Sequence, residues 1–241
     1  MTSKLAAWAR GRRSRPALLV RAMLGAPDPG DPALKDALAA EAAVAPCDAH
    51  LAALAWRAIE LMDLGPIPGT RIDALLRALE APVPPQLPLL LPTGAAIDAP
   101  DAASLAGEAL ALRALTKAHR QNVTAVRGRL DDLARRGPGL HGATRRASAL
   151  HGLAADAVHY PTAVAKLTAA LAAVQRSDGT WGEDDLFHVG QALLAAGGGD
   201  AERALQEGAD ALAARQEADG GFGSDERSWI ACRWSRKLMG R

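Results

Sequence analysis

The segment QRSDGTWG at Gln175–Gly182 returns as QEADGGFG at Gln216–Gly223, 41 positions later. Gln175 aligns with Gln216, Asp178 with Asp219, Gly179 with Gly220, Trp181 with Phe222 and Gly182 with Gly223. Self-similarity at this period restricts a chain to stacked helical units, because one such unit cannot bury its apolar face alone. One period further back, GPGLHG at Gly137–Gly142 sets Gly137 at the Asp178 position and Leu140 at that of Trp181. The Gln and the Asp are missing there, so that copy is degenerate.

Helical periodicity recurs between these landmarks. Ile72, Leu75, Leu76 and Leu79 form one apolar stripe, Val123, Val126, Leu130 and Leu133 a second, and Val164, Leu167, Leu171 and Val174 a third. Segments that are apolar nearly all round alternate with them: 48–62, 101–117, 143–157, 184–196 and 225–238. A helix apolar on every side is buried on every side, whereas a striped helix keeps one face in water. The alternation therefore predicts two layers, with striped helices outside and apolar ones inside. Ala and Leu dominate and β-branched residues are sparse, so helix is favoured over strand and no sheet is expected. A repeat array is one cooperative body, and 1–241 is read as a single domain.

Punctuation supports the alternation. Pro161 suits the first position of an outer helix, where a missing N–H costs nothing. GGGD at Gly197–Asp200 ends an inner helix and offers Asp200 as the next N-cap. Five prolines between Pro82 and Pro92 forbid continuous helix, so the 82–92 stretch is expected as an extended strap between hairpins.

Charge and cysteine usage narrow the function classes. A net charge of +1 argues against bulk nucleic-acid binding. Cys47 and Cys232 make no disulfide framework, which points to a reduced, cytoplasmic setting. No apolar run approaches the roughly 18 residues that span a bilayer. Lys4, Arg10, Arg12, Arg13, Arg15 and Arg21 crowd the first 24 residues without an acid, either as a basic, solvated helix pair or as a transit segment; a secretory signal would need an apolar core.

A helix closed by Gln, then Asp-Gly, one residue, an aromatic and Gly, then an inner helix: this resembles the QW-type repeat of the terpenoid cyclase and protein prenyltransferase superfamily. The resemblance implies an α/α toroid of five or six helical hairpins, and an open helical-repeat solenoid is the alternative. The residues agree with it. Asp178 and Asp219 can accept turn N–H groups, Gly179 and Gly220 suit left-handed backbone, and Trp181 and Phe222 can pack between layers.

The resemblance also points to a site. Family cyclases that protonate their substrate use an Asp-x-Asp-Asp run, and here Gly182 replaces its first acid, leaving Asp184 and Asp185. These acids begin an inner helix, where the helix dipole favours negative charge. Asp184 and His188 stand at i and i+4 and share a face, with Phe187 turned away into packing. Asp184, Asp185 and His188 are the candidate catalytic residues. Family prenyltransferases hold zinc with Asp, Cys and His, and the matching set here is Asp185, His188 and Cys232, with Asp225 also on the last inner segment. Zinc is the cofactor this set would take. His151 lies among apolar residues and reads as a hydrogen-bonded core histidine, while His141 and His159 fall in turns and read as capping or solvent-facing groups.

Aromatics make up 3 % of the chain, and Trp56, Phe187, Trp229 and Trp234 are those placed on inner segments. Ala and Leu would line most of any cavity, leaving few π-faces to steer a cation. Two functions follow as expectations, and they leave open whether the chain is an enzyme. One is a toroid that binds or processes an apolar, isoprenoid-like small molecule in its central cavity. The other is a non-catalytic helical-repeat protein that docks a partner protein, as in a biosynthetic or maturation complex. The segment carrying Trp229 and Trp234 has no outer helix after it, so either the N-terminal helices cover it or the chain pairs as a homodimer.

Overall fold

The computed structural model of the chain describes residues 1–24, 55–56, 58–59, 62, 73–80, 87–182 and 186–240. These residues are mostly helical. In chain order the helices are α1 (Thr2–Arg10), α2 (Arg15–Leu24), α3 (Asp73–Glu80), α4 (Pro100–Lys117), α5 (Thr124–Arg136), α6 (Ala143–Leu153), α7 (Pro161–Ala172), α8 (Leu186–Ala196), α9 (Gly199–Glu207), α10 (Ala209–Ala213) and α11 (Asp225–Leu238). Two short 3₁₀ turns, Gly137–Gly139 and Ala154–Asp156, follow α5 and α6. The described residues between 55 and 62 are also helical.

Burial separates these helices into the two expected kinds. Along α4, Leu105, Leu110, Leu112 and Leu115 are all buried, and so is Arg113. On α5, Val126, Leu130 and Leu133 are buried, Asp131 is exposed, and Arg127, Arg129 and Asp132 are half-buried at the edges of the stripe. The apolar helices pack on one another in series: α4 against α6, α6 against α8, α8 against α11, and α11 against α2. The striped helices lie over them, α7 against both α6 and α9, and α9 against α8. Small residues permit the close inner crossings. A Cβ on Gly152 would come within 3.1 Å of the Ala109 backbone, and one on Gly190 would enter the Trp234 ring at 2.3 Å.

The two copies of the repeated segment build the same turn. Gln175 Nε2 donates to Gly179 O and to Ala204 O, at 3.0 Å each. Gln216 Nε2 donates to Gly220 O at 2.9 Å and to Met1 O at 3.1 Å. Asp178 Oδ1 accepts from Thr180 N, and Asp219 Oδ1 from Gly221 N, so each carboxylate closes an Asx turn. Both Thr180 donors hold Asp178 below the usual carboxylate range. Gly179 and Gly220 have φ of +78° and +92°, and both lie against a neighbouring helix, at Glu207 O and Lys4 O respectively. Trp181 is buried and donates its indole N–H to Leu171 O at 2.8 Å, and Phe222 is buried edge-on to Phe187.

Several expectations are corrected. Gly198, at φ +83°, is the N-cap of α9; Asp200 lies inside its first turn and pairs with Arg203 instead. The left-handed backbone needed to leave α8 falls on the glycines and carries the chain past Asp200 before helix resumes. A sheet is present, though minimal: β1 (Leu89–Leu90) pairs antiparallel with β2 (Ala96–Ile97). The described part of the proline-rich stretch, 87–92, contains the first strand of this hairpin. Residues 82–86 and Cys47 lie outside the described residues. The apolar edge that motivated a homodimer is covered within the chain. α1 and α2 pack on α11, and Trp229 and Trp234 are 1 % and 0 % exposed.

Candidate functional site

Polar groups on the inner helices meet in an otherwise apolar interior. Ser148 and His151 lie three residues apart on α6, and His188 and Gln191 three apart on α8. That spacing puts each pair on one face, and the two faces oppose each other. Ser148 Oγ lies 3.0 Å from His188 Nε2, and Gln191 Nε2 lies 2.9 Å from His151 Nε2. Ser148 also donates back to Thr144 O, as buried helical serines do. From α4, Arg113 sends Nη1 to His151 O at 3.3 Å. Trp56 completes the group, with its ring centroid 5.9 Å from that of His151. All six residues are buried.

The electrostatics of this cluster are set by dehydration. Burial is the largest cause that holds His151 well below the ordinary imidazole value, and Arg113, His188, Arg233 and Lys117 each push it further down. His151 is thus a neutral imidazole in the fold. Its Nε2 faces the Gln191 amide, which can donate to it without adding charge. This is the hydrogen-bonded core histidine that the apolar context of the sequence implied. His188, placed by the spacing at the start of an inner helix, is 5 % exposed and bonded to Ser148. Phe187 is buried in packing as expected, its ring stacked under the Arg227 guanidinium.

Asp184 and Asp185 lie outside the described residues. Cys232 is fully buried, and dehydration pushes its thiol up to about 12. Among the described residues no three His, Cys, Asp or Glu side chains gather as metal ligands. Asp225 instead pairs with Arg12 of the N-terminal segment. His141 is an exposed turn residue, and His159 sits in a turn with Nδ1 against the Asp156 carboxylate.

The sequence reading missed Arg113, Ser148 and Gln191. Arg113 carried a signal, a lone cation within Ala109–Leu115 that cannot face water without turning apolar neighbours outward. Ser148 and Gln191 carried a weaker one, since they precede His188 and follow His151 by 40 positions, one less than the repeat period. No protein-family model, curated protein or solved structure matches this chain. None of its described helices is long and apolar enough to cross a membrane.

Proposed function

We propose that the chain closes into an α/α toroid like those of the terpenoid cyclase and protein prenyltransferase superfamily, and that its inner helices hold an apolar, isoprenoid-like small molecule. Ring closure is supported by the N-terminal helices, which pack on the last inner helix of the chain. Gln216 meets Met1 O, at the N-cap of α1, as Gln175 meets Ala204 O within α9, which supports reading α1 as a further outer helix.

The observation that carries the ligand reading is the row Arg113, Ser148, His151, His188 and Gln191. Burying such groups is costly, and apolar residues of similar volume would often give a more stable core. Polar side chains from α4, α6 and α8 that converge in an Ala- and Leu-lined interior suit a ligand with one polar end and a long apolar body. In this reading Asp184, Asp185 and His188 are the residues that engage the polar end of the ligand.

Binding of farnesol and farnesyl diphosphate to the full-length protein, followed by tryptophan fluorescence, tests the proposal. Saturable binding is expected, and it should be lost in an Asp184→Asn/His188→Gln double variant whose circular dichroism is unchanged. If neither probe binds, or if the double variant binds as well as the parent, the ligand reading fails. A protein partner then becomes the better account.

A further inference from the structure

We propose that the groove between the C-terminal end of α5 and the start of α7, on the outer layer and away from the inner polar row, binds the phosphate of a small phosphate monoester. The groove has a volume of about 410 Å³, and Arg135, His159, Thr162 and Lys166 line it together with Pro138 and Pro161. Thr162 and Lys166 are i and i+4 on α7 and so share one face, and His159 precedes them in the turn that leads into the helix.

Three polar groups in this groove are uncommitted. The Lys166 ammonium, the Thr162 hydroxyl and His159 Nε2 make no hydrogen bond or ion pair among the described residues. The histidine is nevertheless held in place. Its Nδ1 lies 2.5 Å from Oδ1 of Asp156, and Asp156 is buried with its other oxygen 3.4 Å from Arg127 Nη1. A buried, countered carboxylate that fixes one ring nitrogen leaves the other aimed at a partner outside. The His159 and Tyr160 amides bond Asp156 O, which fixes the turn as well.

The charges around the groove leave these groups available. Asp156 faces Arg127, Asp131 accepts from the Tyr160 hydroxyl, and Asp132 is engaged by Arg135 and Arg136. Lys166 therefore adds positive charge that no neighbouring carboxylate cancels among the described residues. Lys166 and Thr162 donate to two phosphate oxygens, and His159 Nε2, its ring proton held on Nδ1 by Asp156, accepts from the P–OH of a phosphate monoanion, a donor that a carboxylate lacks. Ala134, Pro138, Pro161 and Ala163 make the remaining wall apolar, which gives room for a small organic group beyond the phosphate.

Titration of the full-length protein with phenyl phosphate, inorganic phosphate and benzoate at constant ionic strength tests this, with the His159 ring resonances as the readout. Phenyl phosphate should bind best and inorganic phosphate more weakly, and both should shift the His159 signals. Lys166→Ala and Thr162→Val should each weaken phenyl phosphate roughly tenfold, as expected for loss of one charge-assisted or well-placed hydrogen bond. Lys237→Ala, which lies on α11 and pairs with Glu202, should change nothing. Unmoved His159 resonances, benzoate binding as tight as phenyl phosphate, or an unaffected Lys166→Ala variant would each overturn the proposal. The Asp184→Asn/His188→Gln variant should retain phenyl phosphate binding, which separates this site from the ligand reading of the inner layer.

Discussion

Single residues in this protein are constrained where two helices meet with no room between them. Gly190 faces the Trp234 ring so closely that any Cβ would overlap it, and the indole is pinned by its bond to Leu205 O. Gly190→Ala should therefore cost roughly 1–3 kcal/mol through overpacking, seen as a lower midpoint in urea. Trp181→Ala removes a buried ring and its bond to the end of α7, and a loss of roughly 3–5 kcal/mol is expected in the same assay. A change below about 1 kcal/mol would show that the ring contributes little to joining the layers. His151 gives the pH dependence. The unfolded chain takes up a proton at the ordinary value of 6.5, while the folded protein resists protonation because the imidazole is buried beside cations. The stability contributed by neutral His151 is complete above that value and declines as pH falls below it toward the lowered folded value. Urea midpoints measured from pH 7 down to pH 5 should fall, and His151→Leu should flatten the slope.

At the level of elements, turns dock one helix onto the next through backbone atoms. Gly179 contacts α9 at Glu207 O, and Gly220 contacts α1 at Lys4 O, each at 2.4 Å from where a Cβ would stand. Both have positive φ, so an alanine would meet backbone strain and a clash together. Gly179→Ala should destabilise the protein by roughly 2–4 kcal/mol. Gly220→Ala should act on the N-terminal pair, and faster proteolysis after Arg10 and Arg12 with α7–α9 still protected is the expected result. The Arg12 pairs with Asp219 and Asp225 contribute little to this docking, because all three groups are substantially exposed and screened. Apolar burial of Leu5, Trp8 and Ala9 does more. A stronger polar junction lies at the other end. Arg129 makes a two-pronged bond to Glu108 of α4 and caps α3 through Leu79 O and Glu80 O. Glu108→Ala leaves that arginine half-buried without its partner carboxylate, and a loss of about 2 kcal/mol is expected.

For the whole molecule, what matters is that the chain's first helices pack against its last. Without that contact the face of α11 that α1 and α2 cover would meet water, and self-association would be the natural outcome. With it, that face is buried within one chain, while Trp234 is buried on the other side against Gly190 and Leu205 O. If the contact closes a ring as proposed, small-angle scattering should give a radius of gyration of about 18 Å, the value for a compact chain of this length. An open solenoid of the same helices would be more extended. Closure also predicts one cooperative thermal transition, since no terminal unit can fray independently.

Pattern alone determined the helices, their alternation between striped and buried, and the turn at each repeat, because these follow from local periodicity and backbone preference. The stripes hold at Val126, Leu130, Leu133, Val164, Leu167 and Leu171, which are buried on observed helices, whereas Val123 and Val174 at their ends fall outside the helices and are exposed, and the Asp-Gly turns adopt the conformation their residue types require. Local rules misled at Asp200, where a run of three glycines placed the cap before the acid, and over the absence of a sheet, since 89–90 and 96–97 pair as a small hairpin. The polar row was only partly legible. His151 announced itself by its apolar surroundings, but which residue would face it depended on the register between α6 and α8, and register is set by packing. What covers α11 was left by the sequence as two alternatives, the N-terminal helices or a second copy, because the choice between covers far apart in the chain is made by tertiary packing and not by local pattern.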